Sequence, residues 1–268
     1  MRKILACAVA FTLSSAYTLI AQNGRPGPRP NVSSLTTFYN QIVPLVVVGD
    51  GWSQRFVFLN VDDKLPVVGT LQFYTKDGQP WQVQMKDQGT ASIFLVNLQP
   101  GQTALFETVA KTTSQQLGWA SLQLTSQGMG DVFGQTIFRK QTAGLPDFMC
   151  SMVLGGLGFA KMSAFFDNTG GNYTGMGILS GEICSACQPT QFKVTVKGLD
   201  GSTISQRTIT QNLGALYWMN LAADFPETAG RMGTFTVEIV QQYSTILTGV
   251  SLQFSANGAF TVITPFEQ

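Results

Sequence analysis

Histidine is absent from all 268 residues. That absence excludes Ser-His-Asp and Cys-His catalysis, and every metal site that needs an imidazole. Charge is scarce as well: charged residues are 12% of the chain, with Lys+Arg 16 against Asp+Glu 15. Without Arg2 and Lys3, which fall in a leader described below, the basic count drops by two and the balance turns slightly acidic. A chain so near neutrality carries no electrostatic footprint for nucleic acid or an anionic membrane surface. The few carboxylates are scattered. Asp62 and Asp63 are adjacent, which in a strand sends them to opposite faces and suits neither a glycosidase pair nor a protease dyad. Ser180 lies in Gly177-Ile178-Leu179-Ser180-Gly181, which is not the nucleophile elbow, and no Ser-x-x-Lys occurs. The glycines before Lys161 lack phosphate-loop spacing and precede a strand pattern. A hydrolase is therefore the remotest reading, and no catalytic residue is assigned.

What is present is apolar and long enough to fold. Hydrophobic residues make up 44%, which sets the chain apart from disordered sequences and allows one large domain or two of ordinary size. Residues 1–21 read as a cleaved secretory signal: Arg2 and Lys3 are the basic start, and Ile4 to Leu13 is apolar except for Thr12. Ala21 is the preferred cleavage position and Ala16 the second. The apolar run is shorter than the ~20 residues of a membrane span, and no later run is long enough. The mature chain is thus expected without a stable membrane span, secreted, periplasmic or at the cell surface. Residues 22–41 form a tether, since Pro26, Pro28 and Pro30 alternate with Gly24, Gly27, Arg25 and Arg29.

From residue 42 the dominant period is two. Phe192, Val194 and Val196 alternate with Lys193, Thr195 and Lys197, and Phe235, Val237 and Ile239 with Thr234, Thr236 and Glu238. Such alternation marks antiparallel strands with one face on a core. Asp77-Gly78, Pro100-Gly101, Asp200-Gly201 and Asn257-Gly258 supply the turns. The strand pattern is written twice, with strands expected near 43–48, 53–60, 69–76, 81–86, 91–98, 102–109, 117–125 and 132–139. Their counterparts fall near 161–166, 173–180, 190–197, 203–209, 214–219, 233–240, 247–255 and 259–264. One short helix is expected around Leu221 to Ala229, limited by Pro226.

Three landmarks align the halves. Gly49-Asp50-Gly51 matches Asp167 to Gly171, and Lys76-Asp77-Gly78 matches Leu199-Asp200-Gly201. Gly118-Trp119-Ala120 followed by Gly134 to Phe138 matches Gly233-Thr234-Phe235 followed by Gly249 to Phe254. These readings give an all-β chain of two tandem antiparallel β-sandwich domains, immunoglobulin-like or jelly-roll-like. The first is expected over 42–143 and the second over 160–268. The linker 144–159 is rich in glycine but carries Phe148, Met149, Met152 and Leu154, so it should pack between the copies.

The loop with Asp50 and Trp52, the Asp-Gly hairpin, Gly118-Trp119-Ala120, Phe138-Arg139 and the closing Asn257-Gly258-Ala259-Phe260 resemble tandem β-sandwich modules in secreted proteins of environmental bacteria. The resemblance covers roughly 42–266 and implies architecture; it assigns no activity.

Three sets of residues remain as candidates. Cys150, Cys184 and Cys187 are disulfide candidates in an oxidising compartment; Cys184-Ser185-Ala186-Cys187 precedes Pro189 and a strand rather than the helix a redox motif needs. Asp50, Asp167 and Asn168, in equivalent loops, could hold calcium with backbone oxygens, although such residues serve more often to form turns. Calcium is the one ion considered, and no cofactor is expected. Trp81 shares a side with Val83 and Met85 and belongs in the core. Trp119 instead falls on the side of Ser121 and Gln123, and Trp52 sits at a loop edge, so these two are the candidate ligand contacts for a sugar ring. The competing reading places Trp119 under a domain interface. The function expected is a non-catalytic module pair for surface attachment, scaffolding or protein interaction, its partner another surface or secreted protein. The alternative is polysaccharide binding through tryptophan.

Overall fold

The computed structural model describes residues 40–110, 113–129, 131–154, 158–181, 189–240 and 247–267. The leader and most of the tether lie outside these residues, as do Cys184 and Cys187. The described chain is all-β. Its first half contains β1 (Asn40–Val48), β2 (Trp52–Asn60), β3 (Val67–Thr75), β4 (Val83–Met85), β5 (Gly89–Ala91), β6 (Ile93–Leu98), β7 (Thr103–Glu107), β8 (Gln116–Met129), β9 (Val132–Lys140) and β10 (Phe148–Val153). Its second half contains β11 (Lys161–Asp167), β12 (Tyr173–Ser180), β13 (Thr190–Gly198), β14 (Thr203–Gln211), β15 (Leu216–Asn220), β16 (Met232–Ile239), β17 (Leu247–Phe254), β18 (Phe260–Ile263) and β19 (Phe266–Glu267). The helical piece is where Pro226 limits it: α1 (Leu221–Asp224), then a 3-10 turn at Pro226–Thr228. The Asn220 side chain caps α1 by accepting from the Ala223 amide.

Strand order repeats between the halves. The first half has sheets β1-β8-β3-β6 and β10-β9-β2-β7; the second has β11-β16-β13-β14 and β18-β17-β12-β15, with β19 added beside β11. Each pairing is antiparallel. The matched glycines explain part of the match. A Cβ on Gly118 would overlap the Tyr74 carbonyl oxygen, and one on Gly233 would overlap the Lys197 carbonyl oxygen. Both halves therefore need glycine where this strand crosses its neighbour. In both halves the first two strands lie in different sheets, unlike the constant-type immunoglobulin order in which they share one.

Residues 144–154 do more than connect. Phe148 to Val153 pair with Lys140 to Gln135 as strand β10, the counterpart of β18, so the first half runs ten residues beyond the expected boundary at 143. The physical cause is the burial of Met152 and Leu154, which a free linker would leave in water, while Met149 stays exposed on the other side. The expected strand over 91–98 breaks at Ser92, and the one over 81–86 shrinks to β4.

Within each half the alternate apolar residues meet in a core. Phe56 of β2 lies edge to face with Phe73 of β3 at 5.4 Å, joining the two sheets of the first half. Pro44 interrupts β1, and the register with β8 shifts between Val43 and Val46. Proline has no N–H for the ladder, and a bulge at an edge strand accommodates that loss. The buried Gln54 amide compensates by accepting from the Val47 N–H at 3.0 Å and donating to the Leu45 carbonyl at 3.1 Å and Thr136 Oγ1 at 2.7 Å. In the second half Gln253 performs the same service for Asp167, accepting from its N–H at 3.2 Å and donating to its carbonyl.

Candidate functional site

The two candidate tryptophans converge on the junction between the halves. Trp119 points away from the first core, on the side its alternation specifies, but that side is covered: the residue is 4% exposed. Its indole stacks on Tyr74 at 4.1 Å between centroids, and Nε1 donates to the Gly214 carbonyl at 2.9 Å. Gly214 lies in the second half, just before β15. Next to this bond the Leu216 N–H donates to the Lys76 carbonyl at 2.7 Å, so the Asp77-Gly78 hairpin of one half meets the loop of the other backbone to backbone. A Cβ on Gly78 would lie 2.8 Å from the Gly214 oxygen, so glycine permits this approach as well as the turn.

Trp52 is buried in the same junction. Its ring packs on Phe260 at 4.7 Å and Phe254 at 6.3 Å, both from the second half, and Lys140 Nζ stands 5.4 Å over it. Trp119 thus follows the competing reading and lies under an interface, and the expected exposure of Trp52 is corrected. Each is an interface residue, and neither offers a free face on which a sugar could stack. Trp81, expected in the core, is 9% exposed there.

The junction rests on β12. Its inward residues Met176 and Ile178 fill the second core, while Leu179 belongs to the core of the first half. Gly177, between them, is where Leu45 of β1 seats; a Cβ on it would lie 3.4 Å from Leu45 Cβ. Val250, Leu252, Phe254 and Phe260 on neighbouring strands extend the same apolar surface. The outer face of the β18-β17-β12-β15 sheet is therefore buried, and β12 is covered on both sides from Thr174 to Ser180. The sequence signal was present in two runs without charge, Val43 to Val48 and Gly175 to Leu179. Uncharged runs lacking alternation mark strands buried on both faces.

The equivalent sheet of the first half is left open among the described residues. On its outer side Leu105 is 54% exposed, Phe133 44% and Val153 57%. Adjacent pairings set them side by side: Leu105 opposite Val57, Val57 opposite Gln135, Gln135 opposite Val153, with Phe133 opposite Leu59 in the next row. Arg55 and Glu107, paired at 3.2 Å, border this patch.

The loop residues considered for calcium act as turn formers. Asp50 takes φ 49° between two glycines, and its carboxylate binds Lys140 Nζ at 2.9 Å. Asp167 Oδ1 accepts from the Thr169 N–H at 2.8 Å and hydroxyl at 2.6 Å, and Oδ2 from Asn172 at 3.2 Å. The Thr169 bonds hold its carboxyl below the usual carboxylate range. Asn168 is buried, donating to Thr228 Oγ1 at 2.7 Å and accepting from the Thr174 N–H at 3.0 Å. No group of three or more metal-ligating side chains occurs among the described residues.

Cys150 of β10 has no disulfide partner among the described residues. Burial pushes its pKa up to about 12, partly opposed by a hydrogen bond with the Val262 backbone of β18. Among the described residues no helix is long and apolar enough to cross a membrane. Comparison of the chain with protein-family models, with curated proteins and with solved structures finds no match.

Proposed function

We propose that the protein is an exported, non-catalytic pair of β-sandwich modules serving surface attachment, scaffolding or protein interaction. It is of the kind found in tandem in secreted proteins of environmental bacteria. Export rests on the basic start at Arg2 and Lys3 and the apolar run to Leu13. The sandwich reading rests on two main sheets per half, four-stranded except that β19 makes one sheet of the second half five-stranded, and on Phe56 and Phe73 meeting between the sheets of the first half.

The observation that carries the functional reading is the employment of the chemically capable side chains. Trp52 and Trp119 join the halves, Asp50 and Asp167 close turns, and Asn168 and Gln54 satisfy buried backbone. What remains accessible is surface, including the apolar outer face of the β10-β9-β2-β7 sheet, and apolar patches on exported proteins favour protein contacts. Polysaccharide binding loses its two aromatic residues to the junction, which ranks it below a protein partner.

Fractionation and cross-linking in the native cells test this reading. The protein should appear outside the cytoplasm with Gln22 as its first residue, and cross-linking should capture it with itself or with another envelope or secreted protein. A cytoplasmic chain retaining Met1 would overturn export. Retention of the folded protein on insoluble polysaccharide, with or without calcium, would overturn the ranking.

A further inference from the structure

We propose that the open face of the β10-β9-β2-β7 sheet binds a second copy of this chain, head to tail, through the β11 edge of that copy. The inference rests on the reading of the protein as an interaction module and names its partner. It follows from the internal repeat: within one chain, the same face of the second half is already occupied by the same edge of the first half.

The equivalence is fixed by register. Across the matching strands Val57 pairs with Leu105 and Gln135, while Gly177 pairs with Trp218 and Val250. Leu59 pairs with Phe133, as Leu179 pairs with Thr248. The patch of Val57, Leu59, Leu105, Phe133 and Val153 thus stands where the second half presents its buried docking face.

The complementary edge is also duplicated. Val46 lies opposite Gly118 and Phe166 opposite Gly233, so Leu45, which seats on Gly177, corresponds to Phe165. Phe165 is 37% exposed, and β19 pairs with β11 only at Met162 and Ser163, short of it. Lys76, whose carbonyl accepts the bond across the junction, corresponds to Leu199 in the matching hairpin, and Leu199 is 72% exposed. Met232, beside Gly233, is exposed as well. One chain therefore carries an unfilled apolar face at one end and an unused apolar edge at the other.

Because face and edge are different surfaces, the contact is heterologous: it adds units in a row and does not close as a two-fold dimer. It is also looser than the internal junction. Val57 stands where Gly177 admits Leu45, and Arg55 stands where the second half has Gly175, so the incoming edge sits farther out. Reversible, concentration-dependent association is the expected form.

Sedimentation velocity on the purified protein tests this, with Phe133→Glu disabling the face and Phe165→Glu disabling the edge. Both positions are exposed, and near-ultraviolet circular dichroism of the buried tryptophans verifies the fold of each variant. The unaltered protein should gain mass with concentration up to about 100 μM. Each variant alone should stay monomeric, while a mixture of the two should form a dimer and stop there, since each retains one working surface. Self-association of Phe165→Glu alone would mean that the face pairs with itself, and would overturn the proposal. So would association that appears only after residues 22–39 are removed, which would make that segment the occupant. A protein that stays monomeric yet cross-links to a different envelope protein would overturn this inference and leave the interaction reading standing. A monomer without any partner would overturn both.

Discussion

Removing the Trp119 side chain should loosen both halves at once, because the indole is shared between them. It stacks on Tyr74 of its own half and donates to Gly214 of the other at 2.9 Å, at 4% exposure. Truncating a buried tryptophan to alanine costs about 3–5 kcal/mol, through lost transfer energy and the cavity left behind. Of this, about 0.5–1.5 kcal/mol belongs to the aromatic pair. Trp119→Phe keeps a ring against Tyr74 but strips the Gly214 carbonyl of its donor, at about 1–3 kcal/mol. Urea unfolding followed by far-ultraviolet circular dichroism and tryptophan fluorescence measures both losses. The unaltered protein should unfold in one transition; Trp119→Ala should lose more than Trp119→Phe loses, and its two probes should separate as the halves uncouple. A loss below about 1 kcal/mol for Trp119→Ala would refute the burial on which this rests. The same result governs any ligand-binding experiment with this variant, since lost binding there would report lost structure.

Three further outcomes follow from particular residues. Gly118→Ala and Gly233→Ala each drive a Cβ into a neighbouring carbonyl oxygen and should cost about 3 kcal/mol or more, whereas Gly89→Ala, with open space around it and φ 77°, should cost only about 1–2 kcal/mol; thermal unfolding ranks them. Asp167 has a folded pKa below its ordinary 3.8, so its contribution is present above that value and vanishes as pH falls through the folded pKa. Asp167→Asn should therefore lower the melting temperature at pH 7, and the gap to the unaltered protein should close on acidification toward pH 2. With Cys184 and Cys187 changed to serine, Cys150 should react with a thiol reagent at pH 8 far more slowly in the native protein than in urea, because burial raises its pKa to about 12; equal rates would contradict that burial.

Alternation made much of this fold readable. Phe192-Val194-Val196 and Phe235-Val237-Ile239 form β13 and β16 where the period of two places them, and Pro226 confines the helix to a turn. The doubling of the strand order was legible because turn glycines and crossing glycines answer to local sterics, which both halves share. The edge between the halves was misplaced because glycine and proline around residue 144 read as a linker, while Phe148 to Val153 had a vacant strand edge to join.

The candidate site shows where such reading stops. Alternation assigned Trp119 to the side away from its own core, and that assignment holds. Alternation carries no information about what lies beyond that side, because the cover, Gly214, is 95 positions away in sequence. The same limit applies to the two equivalent sheet faces. Strand period, turn chemistry and the repeat are properties of neighbours along the chain, so the order of residues alone specifies them. Which outer face is buried, and which stands open, depended on the docking of one half upon the other. That choice belongs to the folded chain, because burial is set by distant residues brought into contact.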